Sequence, residues 1–215
     1  MTQLFSPHEL LRIDSSCLAQ SVVTDDAGDS FAIHQYLDQT PFAVVRRAPF
    51  HNGQIPIGVR GHTRSQRYAA WLTPHAVSEV ITPMSLLASD STRSEPAFAA
   101  LRTLRQQWRS LVFSWGPTGS VGFELASGVA TVIPTSDLDI LLSAPHAISR
   151  VEAQTLYATT VDLGCRVDIQ IETPHGAFAL QEFVDNSATL LLRTLCGPVL
   201  VRDPWHLPQP EAMFA

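Results

Sequence analysis

Asp137-Leu-Asp-Ile-Leu-Leu142 is the stretch whose reading sets the fold. On a strand, side chains two apart share a face, separated by about 6.6 Å of rise. Asp137 and Asp139 therefore project together, while Leu138 and Ile140 point the other way. Asp-x-Asp alone also describes a solvated turn. Here the acid pair runs directly into Ile140-Leu-Leu142, so it opens a buried strand. Two carboxylates on one face repel unless a cation lies between them, and a pair of Mg²⁺ ions held this way serves phosphoryl and nucleotidyl transfer.

Val167-Asp-Ile-Gln-Ile-Glu172 is the second strand, in strict apolar/polar alternation. It predicts Val167, Ile169 and Ile171 on one face and Asp168, Gln170 and Glu172 on the other. If the two strands are neighbours, Asp168 approaches Asp137 and Asp139, either completing a metal site or accepting the proton of an attacking hydroxyl. Ser149 to Ala158 between them predicts a helix, with Glu152 three positions after Ser149 as a capping box. Pro198 to Val201 predicts a third strand. Upstream, Leu111-Val-Phe-Ser-Trp115 predicts a strand running into Gly116-Pro-Thr-Gly-Ser120, then a short helix through Phe123 to Ala126. Gly119 and Ser120 thus stand where a helix N-terminus attracts anions, glycine allowing close approach of the backbone and serine adding a hydroxyl donor.

Working outward, Leu87-Ala-Ser-Asp-Ser-Thr-Arg-Ser-Glu-Pro96 reads as a linker and places a domain boundary, giving domains 1–88 and 89–215. Ala97 to Arg109 after it predicts a helix with Phe98, Leu101, Leu104 and Trp108 on one stripe. Before it, Phe42–Val45 and Ile55–Val59 predict strands, and His8 to Leu11 and Arg64 to Leu72 predict helices. The fold expected is α/β (α+β) with a mixed sheet in the second domain.

The chain has 215 residues and a net charge of −6, and all fourteen of its basic residues are arginine. The absence of lysine excludes Schiff-base and pyridoxal enzymes, the Walker A loop and Ser-x-x-Lys hydrolases. No HExxH or Gly-x-Ser-x-Gly is present. The balance runs from −5 over residues 1–45 to +6 over 46–109 and −7 over 110–215. The net charge of −6 argues against a nucleic-acid partner, and no apolar run approaches the roughly twenty residues a membrane span requires. Cys17, Cys165 and Cys196 form no CxxC pair and no secretory signal is visible, so they read as buried thiols of a cytoplasmic protein. Arg60, Arg64 and Arg67 are the candidate phosphate contacts, since arginine must do here what lysine does elsewhere. The same basic segment also suits docking of an acidic protein. Glu124 reads as helix surface, His175 as a turn residue, and both stand with Glu172 as secondary candidates.

The order strand, Gly119-Ser120, helix, Asp137-x-Asp139, helix, Asp168 resembles the nucleotidyltransferase superfamily that includes DNA polymerase β, although sixteen residues between Ser120 and Asp137 make the intervening loop unusually long. A closer likeness lies in Trp115-Gly-Pro-Thr-Gly-Ser-Val-Gly-Phe-Glu-Leu-Ala126, Pro134-Thr-Ser-Asp-Leu-Asp139 and Cys165-Arg-Val-Asp-Ile-Gln-Ile-Glu-Thr-Pro-His-Gly176. It extends to Val44-Val-Arg-Arg47, Ile55-Pro-Ile-Gly-Val-Arg-Gly61, Leu192-Arg-Thr194 and Gly197-Pro-Val-Leu200. These segments resemble the phosphoribosyl-dephospho-CoA transferases of bacterial malonate decarboxylase, the holo-acyl-carrier-protein synthase (MdcG) family. The resemblance implies a DNA polymerase β-like catalytic domain and transfer of phosphoribosyl-dephospho-CoA from triphosphoribosyl-dephospho-CoA to a serine of the apo acyl-carrier subunit, with release of pyrophosphate. It implies a two-metal Mg²⁺ site on Asp137, Asp139 and Asp168, with Gly119 and Ser120 on the triphosphate. A small-molecule or protein nucleotidyltransferase using an ordinary nucleoside triphosphate is the alternative, as is a catalytically silent nucleotide-binding regulator. Retention of three aspartates speaks against the regulator.

Overall fold

Tertiary pairing, rather than local propensity, decides the first part of the chain. The computed structural model describes residues 5–24, 27–61, 63, 66–185 and 187–207. By contacts the chain divides into two units, Met1–Asp90 with Gly122–Thr131, and Ser91–Val121 with Val132–Ala215.

The first unit holds strands β1 (Leu10–Ile13) and β2 (Val22–Val23), helices α1 (Leu18–Ser21) and α2 (Ala27–Gln39), and strands β3 (Phe42–Val45), β4 (Ile55–Arg60), β5 (Arg67–Leu72) and β6 (Val77–Ile81). They form an antiparallel sheet in the order β2-β5-β4-β3-β1-β6. Both faces are covered. Leu11, Ile13, Ala43, Val45, Ile57 and Leu72 join Ile33 and Leu37 of α2 in the main core. Leu10, Phe42, Val44 and Ile81 instead meet Leu86, Phe123 and Leu125. The strands expected at 42–45 and 55–59 are present.

The two helices expected in this unit are not formed. Leu10–Ile13 is a central strand hydrogen-bonded on both sides, entered through His8 at φ 71°. With one residue in four exposed, β1 shows no alternation from which a strand can be read. Arg67–Leu72 pairs with β4 along its whole length, from Arg60↔Arg67 to Ile55↔Leu72. A full ladder outweighs the helix propensity of Ala69-Ala70. Arg64, where that helix was expected to start, lies outside the described residues.

The second unit holds α3 (Pro96–Gln107), β7 (Ser114–Pro117), α4 (Gly119–Ser127, which continues into the first unit), β8 (Leu138–Ser143), α5 (Arg150–Ala158), β9 (Val167–Thr173), β10 (Gly176–Ala179), α6 (Leu180–Val184), β11 (Leu190–Thr194) and β12 (Gly197–Val201). Its mixed sheet runs β12-β11-β10-β9-β8-β7, parallel only between β8 and β9. A parallel pair needs a crossover, which α5 supplies. The segment before α3 is pinned rather than loose: Arg102 Nη1 donates to the carbonyls of Ser91 and Arg93. The stripe Phe98, Leu101, Leu104 and Trp108 is buried, and Trp108 meets Trp115 edge-on at 4.8 Å. Strand β7 begins at Ser114, three residues later than expected, leaving Val112 87% exposed. Phe178, Phe183 and Trp205 pack together with centroids 5.5–5.7 Å apart. Cys196 occupies the β11–β12 turn and is exposed, and Cys17 and Cys165 are half-buried, so none of the three is the fully buried thiol expected. Among the described residues no helix is long and apolar enough to cross a membrane.

Helix α5 carries the capping box. Ser149 Oγ accepts from the Glu152 N–H at 3.1 Å, and Glu152 Oε2 accepts from the Ser149 N–H at 2.7 Å. These bonds hold the Glu152 carboxyl below its ordinary range, so this part of the cap is complete at neutral pH and is lost as acid protonates the carboxylate. Ser149→Ala should destabilise the protein by about 1 kcal/mol, read as a lower urea midpoint at unchanged m-value.

Candidate active site

Strand β7 delivers the chain to Thr118, whose N–H donates to the Asp139 carbonyl at 2.8 Å. Gly119 then opens α4 at φ 58°, a left-handed conformation that favours glycine. Space imposes the same choice: a Cβ at Gly119 would lie 1.9 Å from Asp139 Oδ2. The Asp139 carboxylate thus rests against the first residue of the helix, at its positive end. Ser120 follows, half-buried.

Asp137 is half-buried in the connection just before β8, and Asp139 is the second residue of the strand, flanked by buried Leu138 and Ile140. In the parallel pairing of β8 with β9, Asp139 is the register partner of Asp168. Register partners lie about 4.8 Å apart on the same sheet face. The structure therefore brings together Gly119, Asp139 and Asp168, with Asp137 at the mouth of the same strand. Gln170 and Glu172 continue the polar face of β9, while Ile169 and Ile171 are buried behind it.

Arg166 grips Asp168, Nε and Nη2 reaching Oδ1 at 2.9 and 2.8 Å. Both partners are substantially exposed, so the pair orients the carboxylate more than it stabilises the fold. Burial pushes the Cys165 thiol up, and the nearby Asp137 charge adds to that against a hydrogen bond from the Leu138 backbone. Asp139, Arg166, Asp168, Gln170, Glu182 and Arg193 contribute to the lining of a cleft of ≈ 370 Å³. Among the described residues no three histidine, cysteine or carboxylate side chains converge on one point. The Asp139–Asp168 pair could hold a cation such as Mg²⁺, which is ordinarily bound by one or two carboxylates and completed by water and phosphate oxygens.

Arg60 and Arg67 are cross-strand partners in the first unit, Arg60 lying over the Phe123 ring at 5.7 Å and Arg67 exposed. Glu124 is not helix surface: it is 7% exposed and its Oε2 accepts from the Thr131 N–H at 2.7 Å, closing the loop after α4. His175 stands in the β9–β10 turn, with Nε2 3.1 Å from the Trp205 carbonyl, and ties down the C-terminal segment. Sequence reasoning passed over Arg166 and Arg193. The first was signalled by its position two residues before Asp168. The second was signalled by an arginine inside the apolar strand Leu190-Leu-Leu-Arg-Thr194.

Two family models match in succession: the phosphoribosyl-dephospho-CoA transferase MdcG N-terminal domain over residues 6–83 and its C-terminal domain over residues 85–204. Together they make the chain a two-domain transferase. A phosphoribosyl-dephospho-CoA transferase of Pseudomonas syringae pv. tomato is 41% identical over 205 residues, 94% of this chain and 93% of the relative. That of Pseudomonas aeruginosa is 41% identical over 171 residues, covering 79% and 81%. That of Klebsiella pneumoniae is 34% identical over 206 residues, covering 93% and 96%. The chain belongs to the phosphoribosyl-dephospho-CoA transferase family. No solved structure matches it.

Proposed function

We propose that the chain transfers the phosphoribosyl-dephospho-CoA group from 2'-(5-triphosphoribosyl)-3'-dephospho-CoA to a serine hydroxyl on the apo acyl-carrier subunit of malonate decarboxylase. The serine oxygen attacks the phosphorus that bears the ribose, a phosphodiester forms, and the bond to the outer two phosphates breaks to release pyrophosphate. The observation that carries this reading is the register of Asp139 with Asp168 beside the Gly119 helix start.

A phosphate drawn to that helix start meets the Asp139 carboxylate already there, and two anions share such a place only with a cation between them. Asp137, Asp139 and Asp168 are the residues that would hold Mg²⁺, which would neutralise charge on the phosphates as pyrophosphate leaves. Gly119 and Ser120 offer the triphosphate a close-lying backbone and a hydroxyl. Asp168 has two roles open to it, a third oxygen donor or the acceptor of the serine proton. Arg60, Arg64 and Arg67 belong to the +6 segment, whose charge suits it to draw in the polyphosphate donor or an acidic carrier.

Intact-mass spectrometry of the apo carrier subunit, after incubation with this protein, Mg²⁺ and the donor, tests the reading. The expected result is a mass gain equal to one phosphoribosyl-dephospho-CoA group, and none with ATP in a parallel reaction. No gain from the donor with folded protein would overturn the carrier reading, and a gain from ATP would point to an ordinary nucleotidyltransferase.

A further inference from the structure

Arg193 is an arginine in an apolar strand, and it has no visible employment there. It stands opposite Ala177 of β10, which itself stands opposite Glu172 of β9. Directly opposed residues share a face, so Arg193 lies on the same face as Asp168, Gln170 and Glu172, two strands or about 10 Å from β9. On that face β10 offers only the methyl groups of Ala177 and Ala179. A guanidinium reaching across from β11 therefore meets no bulky side chain of β10, and Arg193 lines the ≈ 370 Å³ cleft together with Asp139 and Asp168.

Its Nη1 is buried and has no hydrogen-bond partner among the described residues. Nor does the guanidinium pair with any carboxylate of the cleft, although Asp139, Asp168, Glu182 and Asp185 all line it. Asp168 is engaged with Arg166, and Glu182 with the Leu191 N–H. A buried charged donor without a partner is costly, and such groups in native proteins generally have a use. Arg166 and Arg193 are the cations among the lining residues. With Arg166 committed to Asp168, Arg193 is left to meet an anion from outside.

The lining also says which anion. Four acidic side chains repel a bare carboxylate or a single small anion, but a diphosphate entering with a divalent cation brings its own neutralisation. The planar fork of arginine matches two phosphate oxygens at once. We propose that Arg193 binds the outer diphosphate of the donor, the group that departs as pyrophosphate, in the cleft it shares with Asp139 and Asp168. This deepens the function proposed above and rests on it for the identity of the donor.

Isothermal titration of the full chain with inorganic pyrophosphate at fixed Mg²⁺ tests it directly. The wild type should bind, Arg193→Gln at least about tenfold more weakly, since a charge-assisted contact is lost. Arg193→Lys should be weakened at least about threefold, because an ammonium keeps the charge but not the fork. Neither variant should melt below the wild type, since the buried Nη1 has no hydrogen bond to lose among the described residues; a purely structural arginine would give lower melting temperatures and unchanged binding. Failure of the wild type to bind pyrophosphate, or wild-type affinity in a folded variant, would overturn the proposal. Should Arg193→Gln not fold, Arg193→Lys decides. The two readings separate: Arg193-dependent pyrophosphate binding without transfer to the carrier would sink the function above. Transfer with pyrophosphate binding indifferent to Arg193 would sink only this inference.

Discussion

Asp139→Asn should lower transfer to the carrier by at least about 10³-fold, the scale on which removing one preorganised electrostatic contact to a developing charge is felt. Asparagine keeps the size of the side chain, so its contact with Gly119 and the packing of Leu138 and Ile140 behind it survive. The circular dichroism spectrum and melting temperature should therefore stay near those of the wild type. What is lost is one anionic oxygen, where Asp139 lies level with Asp168 and against the start of α4. Rates within tenfold of wild type, measured by the mass gain of the carrier, would remove Asp139 from the chemistry.

Gly119→Ala should be nearly as damaging by a different route. At φ 58° an alanine carries about 1–2 kcal/mol of backbone strain. Its methyl group would also stand 1.9 Å from Asp139 Oδ2 and 2.8 Å from Cγ, so the carboxylate must swing away or the turn must open. A displacement of about 1 Å at a reacting centre costs on the order of a hundredfold in rate. Gly164→Ala is the control. Gly164 also has positive φ, at 79°, but no atom lies within 4 Å of an added Cβ. It should share the loss of stability and keep the activity. Equal transfer rates in Gly119→Ala and Gly164→Ala would show that the close approach to Asp139 does not matter.

The parts of this molecule legible in the sequence are those whose environment differs between two faces. Val167 to Glu172 alternates because one face is buried and the other carries the site, and α3 shows its stripe for the same reason. Leu10–Ile13 is covered on both sides, so no periodicity is left to read, and its partners β3 and β6 come from 30 to 70 residues downstream. Glu124 misleads in the opposite direction. A carboxylate in a short helix reads as surface, but its burial is compensated by the Thr131 backbone, a bond no local pattern announces. Within the site, the aspartates were visible as types and spacings. The arginine that holds Asp168 stands only two residues before it, whereas the one that lines the cleft required the sheet order, which sets β11 two strands from β9. Strand β10, four small or aromatic residues long, gave no signal of its own.

The single parallel pairing in the second sheet bears on how this protein acquires its activity. The antiparallel pairs β9–β10 and β11–β12 close as local hairpins, from Thr173↔Gly176 and Thr194↔Gly197, whereas β7 reaches β8 only through the connection that contains α4. Asp139 and Asp168 meet only when a loop of about thirty residues containing α5 has closed, an entropic debt of roughly 3 kcal/mol that must be met before the pairing returns anything. Helices α3 and α5 owe their formation to near neighbours, whereas the carboxylate pair is a long-range product of folding. A nascent or refolding chain can thus hold most of its helix while its two central acids are still strangers, and the pair proposed to hold the metal arrives with topology rather than with secondary structure.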